Sequence, residues 1–185
     1  MLLKCLRVLK IGELWDVMDM GTGAGILAIF TALYSSSVNV DAVDINPQAV
    51  ENAKTNVLRF GLGNIVDVYY SNLFSGVPFK KRFDTILFNQ PLTSDSRFAA
   101  NGSLEMSVFD PGYQTFRRFL QGAHYHLTKG GRLLVGASPN IGNPRLLSKI
   151  IRGEGYDSRI VGRNVEPSNQ WDSGIEYRLL ELREK

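Results

Sequence analysis

Apolar residues run through this chain in short blocks that end on small or polar residues, and longer mixed stretches separate the blocks. The first block, 14–20, leads into Gly21-Thr22-Gly23-Ala24-Gly25, which predicts a buried strand entering a glycine turn. Residues 25–34 are apolar nearly all round, as in a helix buried against a sheet. A second apolar strand, 38–44, ends at Asp44; Asn46 then offers an N-cap and Pro47 a first helical position for a helix to about residue 60. Its outer face carries Gln48, Glu51, Asn52 and Lys54. Gly61-Leu62-Gly63-Asn64 breaks that helix, strand 65–70 runs into Ser71-Asn72-Leu73-Phe74, and strand 83–88 runs into Asn89-Gln90-Pro91-Leu92.

Beyond that point the pattern loosens. Residues 93–108 are polar and irregular, longer than most connections in compact domains, and are expected to form a lid or substrate loop. Asp110-Pro111 opens a helix to about 127, Lys129-Gly130-Gly131 turns the chain into strand 132–137, and Asn143-Pro144 begins a helix to 152. Strands 157–164 and 175–182, separated by a polar loop over 165–174, are expected to pair as a hairpin. At the start, 1–12 is expected to be a helix with Leu2, Leu6 and Leu9 against the sheet.

Strands alternating with helices imply an α/β, doubly wound, mostly parallel seven-stranded sheet with a C-terminal antiparallel hairpin, and a ligand at the carboxyl ends of the strands. Gly21, Asp44, Asn72 and Asn89 fall at four such ends. The 185 residues are enough for one continuous core, so a single domain over 1–185 is expected. Apolar content of 44% and charged content of 21% exclude disordered, fibrous and membrane classes. The net charge of +3 permits a polyanionic partner such as RNA without requiring one. Cys5 is the only cysteine, and Lys and Arg interrupt the apolar opening, so neither a disulfide nor a signal peptide is expected; the location expected is cytoplasmic. With His124 and His126 two apart and one Cys, a metal site has little to build on.

The glycine turn narrows the chemistry. Alternate glycines clear side chains from the backbone and admit positive φ, which suits a nucleotide-cofactor loop. Asp19, at the strand end, would face whatever lies over that loop, repelling a pyrophosphate and stabilising a sulfonium or ammonium group, which favours S-adenosylmethionine. Asp44 lies where a carboxylate in such a fold reaches paired ribose hydroxyls. Two other readings stay open at this level: a plain tight turn, and a nicotinamide-dependent oxidoreductase, because Gly23-Ala24-Gly25-Ile26-Leu27-Ala28 fits the dinucleotide pattern from its second glycine. The second of these lacks a Tyr-x-x-x-Lys pair or a placed His for proton transfer.

From about residue 17 to 182 the chain resembles the class I S-adenosylmethionine-dependent methyltransferases, in the small-domain group that includes HemK-type release-factor glutamine methyltransferases and rRNA guanine-N2 methyltransferases. Asp19-Met20-Gly21-Thr22-Gly23-Ala24-Gly25 is similar to motif I and Val43-Asp44-Ile45-Asn46-Pro47 to the acidic strand-two motif. Ser71-Asn72-Leu73-Phe74 is similar to the adenine-contacting loop, and Asn89-Gln90-Pro91-Leu92 to the [N/D]-P-P-aromatic motif of planar-nitrogen methylation. The resemblance implies that Asp19 and the backbone of Gly21, Thr22, Gly23 and Gly25 hold the methionine part of the cofactor. It also implies that Asp44 takes the ribose hydroxyls, that Ile45 lies on the adenine, and that Asn72, with Leu73, meets the adenine amino group. Asn89 and the Gln90 carbonyl would orient the acceptor nitrogen, with Pro91 stiffening the loop.

Two positions depart from the family. Gln90 replaces a proline, which loosens the acceptor loop, and Leu92 replaces the stacking aromatic, a contact worth about 1–3 kcal/mol for a base. Phe98, Phe109 or Tyr113 could fold over the site in its place. The implied activity is N-methylation of an amide or exocyclic amino nitrogen of a protein or RNA. A non-catalytic S-adenosylmethionine-binding protein is the alternative that Gln90 and Leu92 motivate. HemK-type enzymes carry a recognition domain ahead of the catalytic one, whereas here the loop begins about 20 residues in. Recognition is therefore expected from the lid, the hairpin loop 165–174 or a partner subunit.

Overall fold

The computed structural model describes residues 15–35, 38–94, 109–168 and 171–185. The leading helix expected over 1–12 and the interior of the expected lid, with Phe98, lie outside the described residues. Among the described residues the elements are β1 (Asp16–Met20), α1 (Ile26–Tyr34), β2 (Asn39–Asp44), α2 (Pro47–Arg59), β3 (Val66–Tyr70), β4 (Phe83–Phe88), a 3-10 turn (Pro111–Tyr113), α3 (Gln114–Ala123), β5 (Leu127–Ala137), α4 (Pro144–Gly153), β6 (Tyr156–Ser168) and β7 (Trp171–Glu184).

The seven strands form one sheet in the order β3-β2-β1-β4-β5-β7-β6. β1 pairs in parallel with β2 and β4, β2 pairs in parallel with β3, and β6 and β7 are antiparallel. This is the mostly parallel α/β sheet with an antiparallel end that the alternation of elements predicts. Parallel strands covered on both faces need apolar side chains in both directions, and Val17, Met18, Met20, Val40, Ala42, Val43, Ile86 and Leu87 are all buried.

Two compact units divide the described residues, one within the segment up to Phe88 and Gly122–Leu133, the other within Asn89–Gln121 and Leu134–Lys185. In the first, α2 buries Val50, Ala53 and Val57 at helical spacing, and the Asn46 side chain accepts a bond from Gln48 N at 3.0 Å, as Asn-Pro predicts. In the second, Phe116, Phe119, Leu120, Leu147, Ile150, Ile151, Tyr156, Leu179 and Leu182 form the core. The buried Tyr156 hydroxyl donates to Leu120 O at 3.0 Å, and burial holds its pKa above the usual tyrosine range.

Three expectations are corrected. The helix after the glycine turn is not buried all round: Ala28, Ile29, Thr31 and Ala32 are covered, while Ile26, Leu33 and Tyr34 are 57%, 51% and 55% exposed. Apolar composition reports what a helix tolerates, and only one layer of sheet covers it. The helix expected over 110–127 opens as a 3-10 turn, with Gly112 at φ 66°, and α3 ends at Ala123. Strand five then starts at Leu127, so Lys129-Gly130-Gly131 lies inside a strand and the reversal falls at 124–126. Gly122 permits this, because a Cβ there would overlap the Phe74 ring, which stacks on His126. Finally, the polar loop expected over 165–174 is mostly ladder, with Val165 opposite Glu176 and Glu166 opposite Ile175. Charged residues satisfy one another along that hairpin, as where Arg178 Nε donates to Glu176 Oε1 at 2.7 Å, so polarity there does not mark irregularity.

Candidate functional site

Gly21, Gly23 and Gly25 have φ of 66°, 56° and 82°, the left-handed region that favours glycine. Gly25 has a second constraint, since a Cβ there would come within 3.3 Å of Ala53 Cβ on α2. The loop is stitched down on several sides: Thr22 N donates to Val43 O, Gly25 N to Thr22 O, and Asn56 Nδ2 to Ala24 O, each at 2.9 Å.

Asp19 does not turn its carboxylate to the open side of the loop, as the sequence suggests it would. It is fully buried, and its Oδ2 accepts from Thr22 Oγ1 at 2.7 Å and Ala28 N at 3.1 Å, joining the loop to the first turn of α1. The cause is geometric: β1 ends with Asp19 packed inward and Met20 before the turn, so the shortest acceptor path leads to the unpaired N–H groups of the helix start. Its Oδ1 is buried without a hydrogen-bond partner. Burial, assisted by the charge of Asp44 and opposed by the two bonds, pushes its pKa up to about 7.

Asp44 reaches across the corner. Its Oδ2 accepts from Gly23 N at 2.9 Å and its Oδ1 from Asn46 N at 2.8 Å. It is only half-buried, so each oxygen keeps a lone pair for another donor. Beside it Ile45 leaves an apolar side chain 43% exposed. The main chain carries the corner on to the next strand, where Ser71 N donates to Asp44 O at 3.0 Å. There Asn72 and Leu73 are half-buried, Asn72 N donates to Ser75 Oγ at 3.2 Å, and Leu73 has φ 52°. The tight turn is closed by Ser71 Oγ, which bonds Leu73 O and accepts from Gly76 N. Among the described residues neither Asp19 nor Asp44 has an ion-pair partner. The residues expected at the site in this unit, Asp19, Gly21, Thr22, Gly23, Gly25, Asp44, Ile45, Asn72 and Leu73, thus lie at three consecutive strand ends around two carboxylates. Asn56, which sequence analysis missed, belongs with them; nothing in the sequence marks it among the other polar residues of α2.

The second unit begins where β4 ends. Asn89 is exposed, Gln90 is 2% exposed with its Oε1 buried and unpartnered, Pro91 is buried and Leu92 half-buried. Thr93 bridges to Phe109 in parallel and its carbonyl accepts from Asp110 N at 2.9 Å, so the two ends of the expected lid lie side by side. Phe109 is half-buried. Tyr113 is core, 2% exposed, with its hydroxyl accepting from Asn143 N at 2.9 Å. Gly142 sits against this segment so closely that a Cβ would fall 2.7 Å from Leu92 O. No group of three or more His, Cys, Asp or Glu suited to a metal ion occurs among the described residues.

Known proteins can now be set beside this geometry. The chain is 33% identical over 136 residues to a release factor glutamine methyltransferase of Rhodopirellula baltica, covering 68% of this chain and 45% of that one. It is 32% identical over 134 residues to a ribosomal RNA small subunit methyltransferase C of Enterobacter sp. (strain 638), covering 72% of this chain and 34% of that one. The chain therefore spans less than half the length of these relatives. A crystal structure of a ribosomal protein L11 methylase from Lactobacillus delbrueckii subsp. bulgaricus superposes with TM-score 0.64 at 18% identity, covering all of this chain and 76% of that one, and shares the fold. The methyltransferase small domain profile matches residues 1–155, and the chain belongs to that family of class I methyltransferases.

Proposed function

We propose that this chain is a single methyltransferase domain that transfers a methyl group from S-adenosylmethionine to an amide or exocyclic amino nitrogen of a protein or RNA. The observation that carries the reading is the half-buried Asp44 carboxylate, clamped by Gly23 N and Asn46 N beside the buried acid Asp19, neither having an ion-pair partner among the described residues. Such a corner disfavours phosphate and favours a positively charged ligand. The residues fit the cofactor in three further ways. Asp44 has lone pairs left for ribose hydroxyls, Ile45 offers an exposed apolar surface for a flat ring, and Gly23 leaves open space, with nothing within 4 Å of where a Cβ would lie. The relatives named as glutamine and ribosomal RNA methyltransferases support the acceptor class.

The cofactor supplies a methyl carbon made electrophilic by positive sulfur. The chain's own contribution is placement. Asp44 clamps the loop and presents its remaining lone pairs, Asn72 would accept from the adenine amino group, and Asp19 ties the loop to the first turn of α1 through Thr22 and Ala28. The Asn89 side-chain oxygen and the Gln90 carbonyl accept the two hydrogens of the acceptor nitrogen, which turns its lone pair outward without a strong base. Exposure of Asn89 suits a group that must meet an incoming substrate. Leu92, Phe98 and Phe109 provide apolar contact to the acceptor, and recognition of the whole substrate falls to the lid or a partner subunit.

The test is calorimetry with S-adenosylmethionine and with NADH, followed by transfer of labelled methyl to a cell extract. Micromolar binding of the first alone, with Asn89→Ala retaining binding and losing transfer, is expected. Preferential binding of the dinucleotide, or full transfer by Asn89→Ala, overturns the proposal.

A further inference from the structure

We propose that the amino-terminal edge of β4 and β5 carries a binding site for single-stranded RNA, apart from the glycine loop and independent of which acceptor is methylated. Two segments meet there. The approach to β4 contains Phe79, Lys80, Lys81 and Arg82, and the turn before β5 contains His124, Tyr125 and His126, with Lys129 following. They are tied by Phe83 N donating to His126 O at 2.8 Å and by a 3.0 Å bond between His126 Nδ1 and Lys81 O. Arg82 Nη1 braces the first segment by donating to Phe79 O at 2.8 Å and Lys81 O at 3.1 Å. Both backbones are thus tied together by hydrogen bonds.

This scaffold displays two rings and three cations. Phe79 is 74% exposed and Tyr125 59% exposed, the latter edge-on to the His124 ring at 5.4 Å. Lys80, Arg82 and Lys129 are exposed and make no ion pair with any described residue. The carboxylates of the same edge are accounted for or lie elsewhere. Asp84 accepts from Asp16 N and Thr128 Oγ1, and Asp41 is held by Lys81 at 2.6 Å and by the Tyr69 hydroxyl at 2.6 Å. Asp16, Asp41 and Asp67 line a neighbouring cavity of about 310 Å³ over β1 to β3. The edge is therefore acidic over β1–β3 and cationic over β4–β5. Exposed rings between unpaired cations are the elements of a single-strand platform, where bases stack and phosphates are neutralised. An acidic peptide would use the cations and leave both rings in water, which favours RNA. β4 separates this edge from the glycine loop by about 20 Å, so the two sites can be filled together.

The experiment is fluorescence anisotropy of a labelled single-stranded RNA oligonucleotide across a salt series. Three phosphate contacts predict a log–log salt slope of about −2, hence about a 16-fold loss of affinity for a fourfold rise in salt. The triple variant Lys80→Gln/Arg82→Gln/Lys129→Gln should bind at least tenfold more weakly at low salt and lose most of that slope. Phe79→Ala/Tyr125→Ala should lose about fivefold or more per ring while keeping the slope. S-adenosylmethionine binding, measured on each variant, should match the unaltered chain, which separates this proposal from the fate of the methyltransferase reading. Unchanged RNA affinity in either variant overturns the site, as does polyglutamate binding as tight as RNA with no dependence on the rings.

Discussion

Asp19 shows how one buried carboxyl sets a pH dependence. Its pKa is near 7 in the folded chain and about 3.8 when exposed, so the native state holds a proton that the unfolded chain releases. Stability contributed at acid pH is therefore lost as pH rises from about 4 to 7, by about 4 kcal/mol for this group. Asp19→Asn, which keeps an oxygen for Thr22 and Ala28, should show a flatter profile; denaturant titrations of both proteins across that range measure the difference, and a constant gap would refute it. Asp44 is the opposite case, a half-buried carboxylate with two backbone donors. Asp44→Ala strands Gly23 N and Asn46 N and should cost about 2–3 kcal/mol together with at least a hundredfold in cofactor affinity, read by calorimetry. Both acids were legible in the sequence as residues of strand ends. That one faces inward and the other braces the loop was not, because the direction of a side chain at a turn depends on which donors the next element brings near.

At the scale of elements, the helix starts were the most readable features, since Asn-Pro places a cap and a first-turn proline in adjacent residues. Asn143 accepts from Leu146 N at 3.0 Å, as Asn46 does from Gln48 N. Asp110 goes further: it is 3% exposed and its two oxygens accept from Thr115 N and Phe116 N, each at 2.9 Å. Asp110→Ala should lower unfolding free energy by about 2 kcal/mol, more than Asn46→Ala at about 1, in matched urea titrations. The hairpin was readable as a pair of strands, but not in its length or its buried charges. Glu181, with a side chain 1% exposed, receives Arg183 Nε at 2.6 Å and Arg159 Nη2 at 3.1 Å. Burial pushes its pKa up, but these cationic donors outweigh it and hold the carboxyl below its usual range. The stability this brings is present above the unfolded pKa and fades as pH falls below about 4. Glu181→Gln should thus cost about 1–2 kcal/mol at pH 7 and little in acid.

For the whole molecule, ligand linkage gives the broadest check on the proposed cofactor. A ligand that binds only the folded chain adds about 2.7 kcal/mol at a hundred times its Kd, which for a chain of this size raises Tm by roughly 5–10 °C. S-adenosylmethionine should do so for the unaltered chain and not for Asp44→Ala, by scanning calorimetry. The match to these relatives covers less than half of their length, so the proposed cofactor can be tested on this chain while the whole substrate stays a proposal. No helix among the described residues is long and apolar enough to cross a membrane.

Sequence alone determined the alternation of strands and helices, the parallel sheet and the glycine corner, because each follows from periodicity and backbone chemistry within a few residues. It also marked Asp19, Asp44, Asn72 and Asn89 as strand-end residues, since alternation fixes where a strand must stop. Tertiary structure decided the rest: that Asp19 is buried and near-neutral, that Asp44 and Asn56 lock the loop, that one face of α1 stays exposed, and that loops near 80 and 125 join into one cationic, aromatic edge. The loop lock and the joined edge depend on contacts between residues 20 or more apart, such as Gly23 with Asp44 and Lys81 with His126, and no local pattern encodes which distant donor reaches which acceptor.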